Sequence, residues 1–382
     1  MKMTPIFYQA HLESQLSRSQ YLILSILINL LQSLKQVSLE ALATAFPFPV
    51  LFDSRRKKIQ RFLSFPQLNI ETIWLPIIKS WLADDFPLHQ VIYLVIDRTS
   101  WGKINLLMIS LVWEKRAIPI YFELLTKLGS SNFEEQKAVI SRVLPLFRGY
   151  KTVVLGDREF CSVTLGNWLR QEKLYFCLRL RKDEFVELAN GMWLQLSNLG
   201  LAPGVSFYLQ GVKVTKTKGF IGFNVACKWK RKYQGWHPEE GWFILSNLEN
   251  LDAAITAYKR RFRIEEMFRD FKSGGYNLEG TGASGQRLIS LILLIAIAYT
   301  SATMQGKKIK RMGIQKYVGR VKERSRTQRR HSSFYIGLYG QIWVNFMEQC
   351  NELVAALMKL NINKRPFYQQ GLRAMKLIIS AS

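Results

Sequence analysis

The sequence predicts an α/β protein: a mixed sheet flanked by helices, with a helical region at each end and a β-rich segment inserted late in the sheet. Three observations predict it. Apolar runs of strand length crowd together from Val91 onward, as in VIYLVID (91–97), INLLMISLVW (104–113) and AIPIYFELL (117–125). Amphipathic stretches then alternate with further apolar runs, KTVVLGD (151–157) and Leu174–Leu180. Before and after this region the apolar spacing is helical.

Taken in order, residues 1–86 read as a helical, DNA-binding domain. Ser19–Leu34 has helical periodicity, Ser38–Ala45 is a short helix ending before Pro47 and Pro49, and Ser54 is the expected cap of a helix carrying Arg55, Arg56, Lys57, Lys58 and Arg61. A solvated charged face is the other reading of that helix. Residues 87–184 hold three strands, a helix at Asn132–Phe147, a strand, a helix near Ser162–Gln171 and a strand. The order β-β-β-α-β-α-β is that of a ribonuclease H-like catalytic core, in which the first and fourth strands are neighbours. Residues 185–250 read as a β-rich insertion. Residues 251–304 resume the core with a helix at about Asn250–Ser273 and an apolar helix at Arg287–Met304. Residues 305–382 comprise a basic segment and a C-terminal helical region.

A formal charge of +26 favours a polyanionic partner, nucleic acid before an anionic membrane. The cations cluster. Gly211–Tyr233 carries Lys213, Lys216, Lys218, Lys228, Lys230, Arg231 and Lys232 without an acid, and Gly306–Arg330 has eleven Lys/Arg against Glu323 alone. Both are candidate duplex contacts, with a solvated loop as the alternative. Four cysteines and four histidines are scattered, which argues against a disulfide framework or a zinc site and for a reducing cytoplasm. Met1–Gln20 has no apolar core of a cleavable signal. The run Leu288–Tyr299 is about half to two-thirds of a bilayer span, so it reads as a core helix and no membrane is expected.

Two acids, Asp97 and Asp157, each directly follow a buried-type strand. Taken singly, each is an ordinary turn-capping aspartate. As a pair on neighbouring strands of a cationic protein, they suit divalent ions bridging carboxylate and phosphate. Helix geometry supplies a third. At 100° per residue Tyr258, Arg261, Glu265 and Lys272 fall at roughly 0°, 300°, 340° and 320°, while Ile264, Phe268 and Phe271 group near 220–280°. Glu265, and not Glu266, is therefore the acid on the polar row; a surface helix with i,i+4 ion pairs would show the same row.

The spacing Tyr258-x2-Arg261-x3-Glu265-x6-Lys272 resembles the YREK signature of bacterial insertion-sequence transposases of the DDE superfamily. The segments VIDRT (95–99) and GDREF (156–160) are similar to those bearing the family's first two acids, and the β-rich insertion before the glutamate fits as well. The resemblance implies that Asp97, Asp157 and Glu265 form a catalytic triad binding two Mg²⁺ ions, with Mn²⁺ able to substitute. It implies nicking at the terminal inverted repeats of double-stranded DNA and strand transfer into target DNA, in cut-and-paste members through a hairpin. It also implies a homodimer in the synaptic complex of a nucleoid-associated bacterial protein. Tyr258, Arg261 and Lys272 would grip phosphates, with Arg158 beside the second acid and Arg55, Arg56, Lys213, Lys216 and Lys218 as further DNA contacts. Trp242 resembles the tryptophan that stacks on a flipped base, with Trp229 and Trp236 as competitors. The alternatives are a ribonuclease H-like nuclease that cuts without joining, and an inactive or domesticated DNA-binding protein.

Overall fold

The computed structural model describes residues 6–216, 219–231, 239–322, 330–360 and 362–381. Helices α1 (Ile6–Gln15), α2 (Arg18–Leu34), α3 (Leu39–Ala45), α4 (Phe52–Leu63) and α5 (Leu75–Asp85) come first. They are followed by β1 (Val91–Trp101), β2 (Ile104–Trp113), β3 (Arg116–Leu124), α6 (Phe133–Val143), β4 (Lys151–Gly156), α7 (Val163–Gln171) and β5 (Tyr175–Arg179). Next are β6 (Phe185–Glu187), β7 (Trp193–Gln195), β8 (Ser206–Val214), β9 (Phe220–Lys228) and β10 (Trp242–Ser246). Helices α8 (Leu251–Tyr258), α9 (Phe262–Phe271), α10 (Gly285–Arg311), α11 (Ser333–Gln349), α12 (Asn351–Leu360) and α13 (Arg365–Ser380) complete the chain.

The chain divides into two compact units, a sheet unit of Leu82–Phe268 and a helical unit of Met1–Trp81 with Arg269–Ser382. This grouping cuts across the five segments expected from sequence. The sheet unit is built on ten strands in the order β3-β2-β1-β4-β5-β10-β9-β8-β6-β7. Strands β1, β4 and β5 are parallel, and β2 and β3 run antiparallel beside β1. That half is the ribonuclease H-like arrangement, an α/β fold with the first and fourth strands paired. β2 is buried along nearly its whole length, as a strand covered on both faces must be.

The β-rich segment is not a separate sheet. β10 pairs with β5 and β9 pairs with β10, so the sheet simply continues. Helices α6 and α7 begin where their caps predict: Asn132 and Glu135 form a reciprocal capping box, and the Ser162 hydroxyl accepts the Leu165 N–H.

In the helical unit, α10 carries the apolar run, and 89% of its most hydropathic window is buried. It is long and apolar enough to cross a membrane, but within its unit it is a core helix. Gly306 of α10 meets Gly337 of α11 so closely that a side chain on either would collide with the other helix's backbone. One cap differs from expectation. Helix α4 starts at Phe52 after Leu51, with no side-chain cap, so Ser54 lies inside its first turn. Asp53 supplies the negative charge that the N-terminal dipole favours there.

Candidate active site

Residues 91–96 of β1 pair with residues 151–156 of β4, ending at Ile96 opposite Gly156. Asp97 and Asp157 are therefore the next residues on two adjacent parallel strands. The expectation that both sit at strand tips holds for Asp157 alone. β1 runs on to Trp101, because the hairpin with β2 continues to Trp101 opposite Ile104. Asp97 is thus inside a strand, at the point where β4 leaves its flank. Gly156 lets the chain turn sharply here: a Cβ on it would lie 2.7 Å from Cβ of buried Phe160.

Each aspartate has one oxygen fixed by the backbone. Asp97 Oδ1 accepts the Arg98 N–H at 2.8 Å, and Asp157 Oδ1 accepts the Glu159 N–H at 2.8 Å. Asp157 is therefore a turn cap, the ordinary reading, as well as the neighbour of Asp97. Burial, then the negative charge of Asp157 and more weakly that of Glu265, push the Asp97 carboxyl up to about 7. The Arg98 N–H and Arg261 oppose that rise.

The helix bearing the third acid is broken. A tight turn at Lys259–Arg261 separates α8 from α9, and such a turn advances roughly 120° per residue against 100°. Residues beyond it are rotated by roughly 60° from their places on a continuous helix. Arg261, with a side chain 7% exposed, nevertheless spans the site. Its Nη2 donates to Glu265 Oε1 at 2.5 Å, and its Nη1 lies 3.8 Å from Asp97 Oδ2. Burial works against the Arg261 charge, but Tyr258, Glu265 and Asp97 outweigh it and raise its pKa. Glu265 is half exposed, and Glu266 points instead to Arg116 at 3.2 Å.

Tyr258 was expected to grip a phosphate, but its ring is fully buried. Burial raises its phenol above the ordinary range against the pull of Arg261 and Arg179. It lies edge-on to Trp242, with centroids 5.2 Å apart. Trp242 also packs on Phe262 at 5.9 Å, and the Lys230 ammonium lies 5.5 Å from its centroid. Of the competing tryptophans, Trp229 is partly buried, while Trp236 lies outside the described residues, as do Lys218, Lys232 and Glu323.

The remaining cations are mostly engaged locally. Arg158 and Arg179 both pair with Glu240, and Lys213 pairs with Glu187 at 2.6 Å. Lys216 is exposed. In the helical unit, Arg55 donates to the carbonyls of Thr44 and Phe46, Arg56 pairs with Glu40 at 2.9 Å, and Lys272 pairs with Glu279 at 2.7 Å. Lys272 belongs to that unit.

The donor set has the chemistry of a magnesium or manganese site, since carboxylate oxygens are hard ligands. Burial first, and then the charge of Asp157, disfavours the ionised Asp97 carboxyl, and added positive charge would offset both. Among the described residues, however, no three His, Cys, Asp or Glu side chains are gathered closely enough to enclose an ion. Glu265 is drawn to Arg261, which provides part of the missing charge. Sequence reasoning passed over Arg98 and Glu159, which pair with each other at 2.8 Å. Their signal was present, because both lie inside the segments VIDRT and GDREF.

The fold and site define a ribonuclease H-like protein with one aspartate in its first strand and another directly after its fourth. Residues 132–301 match the family described as "Transposase DDE domain". The matched segment includes Asp157 and Glu265 but begins after Asp97. No curated protein matches the chain. Among solved structures, it is similar to a cryo-EM structure of the piggyBac transposase synaptic complex with hairpin DNA. The identity is 15%, covering 92% of this chain and 78% of that one, with a TM-score of 0.41.

Proposed function

We propose that this chain is an insertion-sequence transposase that cleaves DNA at the element's terminal inverted repeats and joins the freed ends to target DNA, by cut-and-paste through a hairpin. The observation that carries the reading is that Asp97 and Asp157 directly follow the last paired residues of β1 and β4, with Arg261 contacting both Asp97 and Glu265. Two magnesium ions, with manganese as a substitute, would activate the attacking oxygen and stabilise the leaving one. Asp97 and Asp157 would hold them from the sheet, and Glu265 would complete the set from α9 on leaving Arg261. The Arg261 guanidinium would then be free to bind a backbone phosphate through its two-pronged geometry. Tyr258, buried beside it, orients Arg261 from behind and does not itself reach DNA.

Pairing two element ends would call for a homodimer in the synaptic complex, and acting on chromosomal DNA would call for a bacterial cytoplasmic protein at the nucleoid. The test supplies DNA carrying the sequences that flank the gene, Mg²⁺ and a target plasmid. Joined product is expected, and Asp97→Ala should abolish both steps while DNA binding persists. Nicks without joined product would indicate the nuclease reading. Binding without nicks would indicate an inactive copy.

A further inference from the structure

The strongest unassigned feature lies on the far side of β1 from Asp97. Successive strand residues face opposite ways, so Arg98 points away from the face that Asp97 presents. Its guanidinium Nε donates to both carboxylate oxygens of Glu159, at 2.8 and 3.0 Å, and its Nη1 donates to Asn105 Oδ1 at 3.0 Å. Glu159 Oε1 also accepts the backbone N–H and the hydroxyl of Ser131, both at 2.8 Å. Asn105 donates in turn to the carbonyls of Lys127 at 2.6 Å and Gly129 at 3.0 Å. The two charged side chains are only 19% and 13% exposed, so solvent screens the pair little.

This network has one geometric consequence. Arg98 follows Asp97 directly, and Glu159 follows Asp157 by two residues on the turn that Asp157 caps. Backbone pairing between β1 and β4 stops at Ile96 and Gly156, so beyond that point no sheet hydrogen bond fixes the separation of the two aspartates. The Arg98–Glu159 pair bridges that gap.

We propose that Arg98 and Glu159 are positioning residues, a clamp that sets the spacing of Asp97 and Asp157 for divalent-ion binding from behind the site. The inference rests on the reading of those aspartates as metal ligands. As a geometric device, the clamp fails as completely with one arm cut as with both. Removing it leaves the acids in place but lets the Asp157 turn drift, so the loss appears in metal affinity before it appears in folding.

The test measures Mn²⁺ binding to the full-length, DNA-free protein by calorimetry, with melting temperatures recorded alongside. The proteins are wild type, Asp97→Ala, Arg98→Gln, Glu159→Gln, the Arg98→Gln/Glu159→Gln double variant and Ser131→Ala. Wild type should bind and Asp97→Ala should not. Each single clamp variant and the double variant should lose affinity by a similar factor, about tenfold or more, and Ser131→Ala by about two- to threefold. Clamp variants that bind Mn²⁺ like wild type, while Asp97→Ala does not, overturn the clamp and leave the metal site standing. Binding by Asp97→Ala equal to wild type overturns the metal reading itself. If Glu159→Gln does not fold, Ser131→Ala decides: an unchanged affinity there refutes the proposal.

Discussion

At the scale of single residues, Asp97 is held at odds with its surroundings. Its ordinary value is 3.8, and burial with two neighbouring acids lifts it to about 7. Between roughly pH 4 and 7 the folded protein therefore keeps a proton that the unfolded chain has lost, and stability falls as pH rises through that window. In EDTA, Asp97→Asn should raise stability at pH 8 by about 2 kcal/mol and leave it nearly unchanged at pH 4. Thermal melts at both values check this; equal shifts at the two pH values contradict the assignment. The two glutamates of α9 separate in the same way. Glu265→Gln should reduce cleavage by about a hundredfold or more in single-turnover assays, as expected on losing a metal ligand. Glu266→Gln should alter it by less than about fivefold, since that side chain pairs with Arg116 at a partly exposed site.

At the scale of elements, the strands of the core and the helices starting near Asn132 and Ser162 were legible in the sequence. Fully covered strands such as β2 appear as unbroken apolar runs, and Asn132 and Ser162 are local signals read within a few residues. What was not legible depends on distant partners. The continuation of β1 past Asp97 is dictated by its hairpin with β2, and the joining of β10 to β5 is a pairing across 60 or more residues that periodicity does not record. The break at Lys259–Arg261 is similar. Arg260 stacks over Tyr93 at 4.4 Å while Arg261 turns toward Asp97, and three successive cations in a sequence give no hint of that division. Arg98 and Glu159 were in view but unread, because their pairing spans 61 positions. Two element-level outcomes follow from the packing. Ser162→Ala should cost about 1 kcal/mol through the lost α7 cap, measured by denaturant titration. Gly337→Val should cost about 3 kcal/mol or more, because the α10–α11 crossing leaves no room for a side chain.

For the molecule as a whole, the cations beside Asp97 and Asp157 account for little of the net charge. Many of the cations nearest the acids are paired within the protein: Arg98 with Glu159, Arg158 and Arg179 with Glu240, and Arg261 with Glu265. The net charge of +26 consequently resides largely elsewhere, on groups such as exposed Lys57, Arg61 and Lys216. Affinity for duplex DNA should fall steeply with salt, by about a thousandfold or more between 50 and 200 mM, because phosphate contacts release counterions. Lys216→Ala should weaken binding to end and random DNA about equally, whereas Arg261→Ala should leave random binding almost intact.

In the proposed function Asp97, Asp157 and Glu265 share divalent ions. Anomalous diffraction from crystals grown with element-end DNA and Mn²⁺ tests it most directly. Manganese peaks are expected between Asp97 and Asp157, with Glu265 turned from Arg261 to join them. Manganese bound elsewhere, with the Arg261–Glu265 pair still closed, would contradict it.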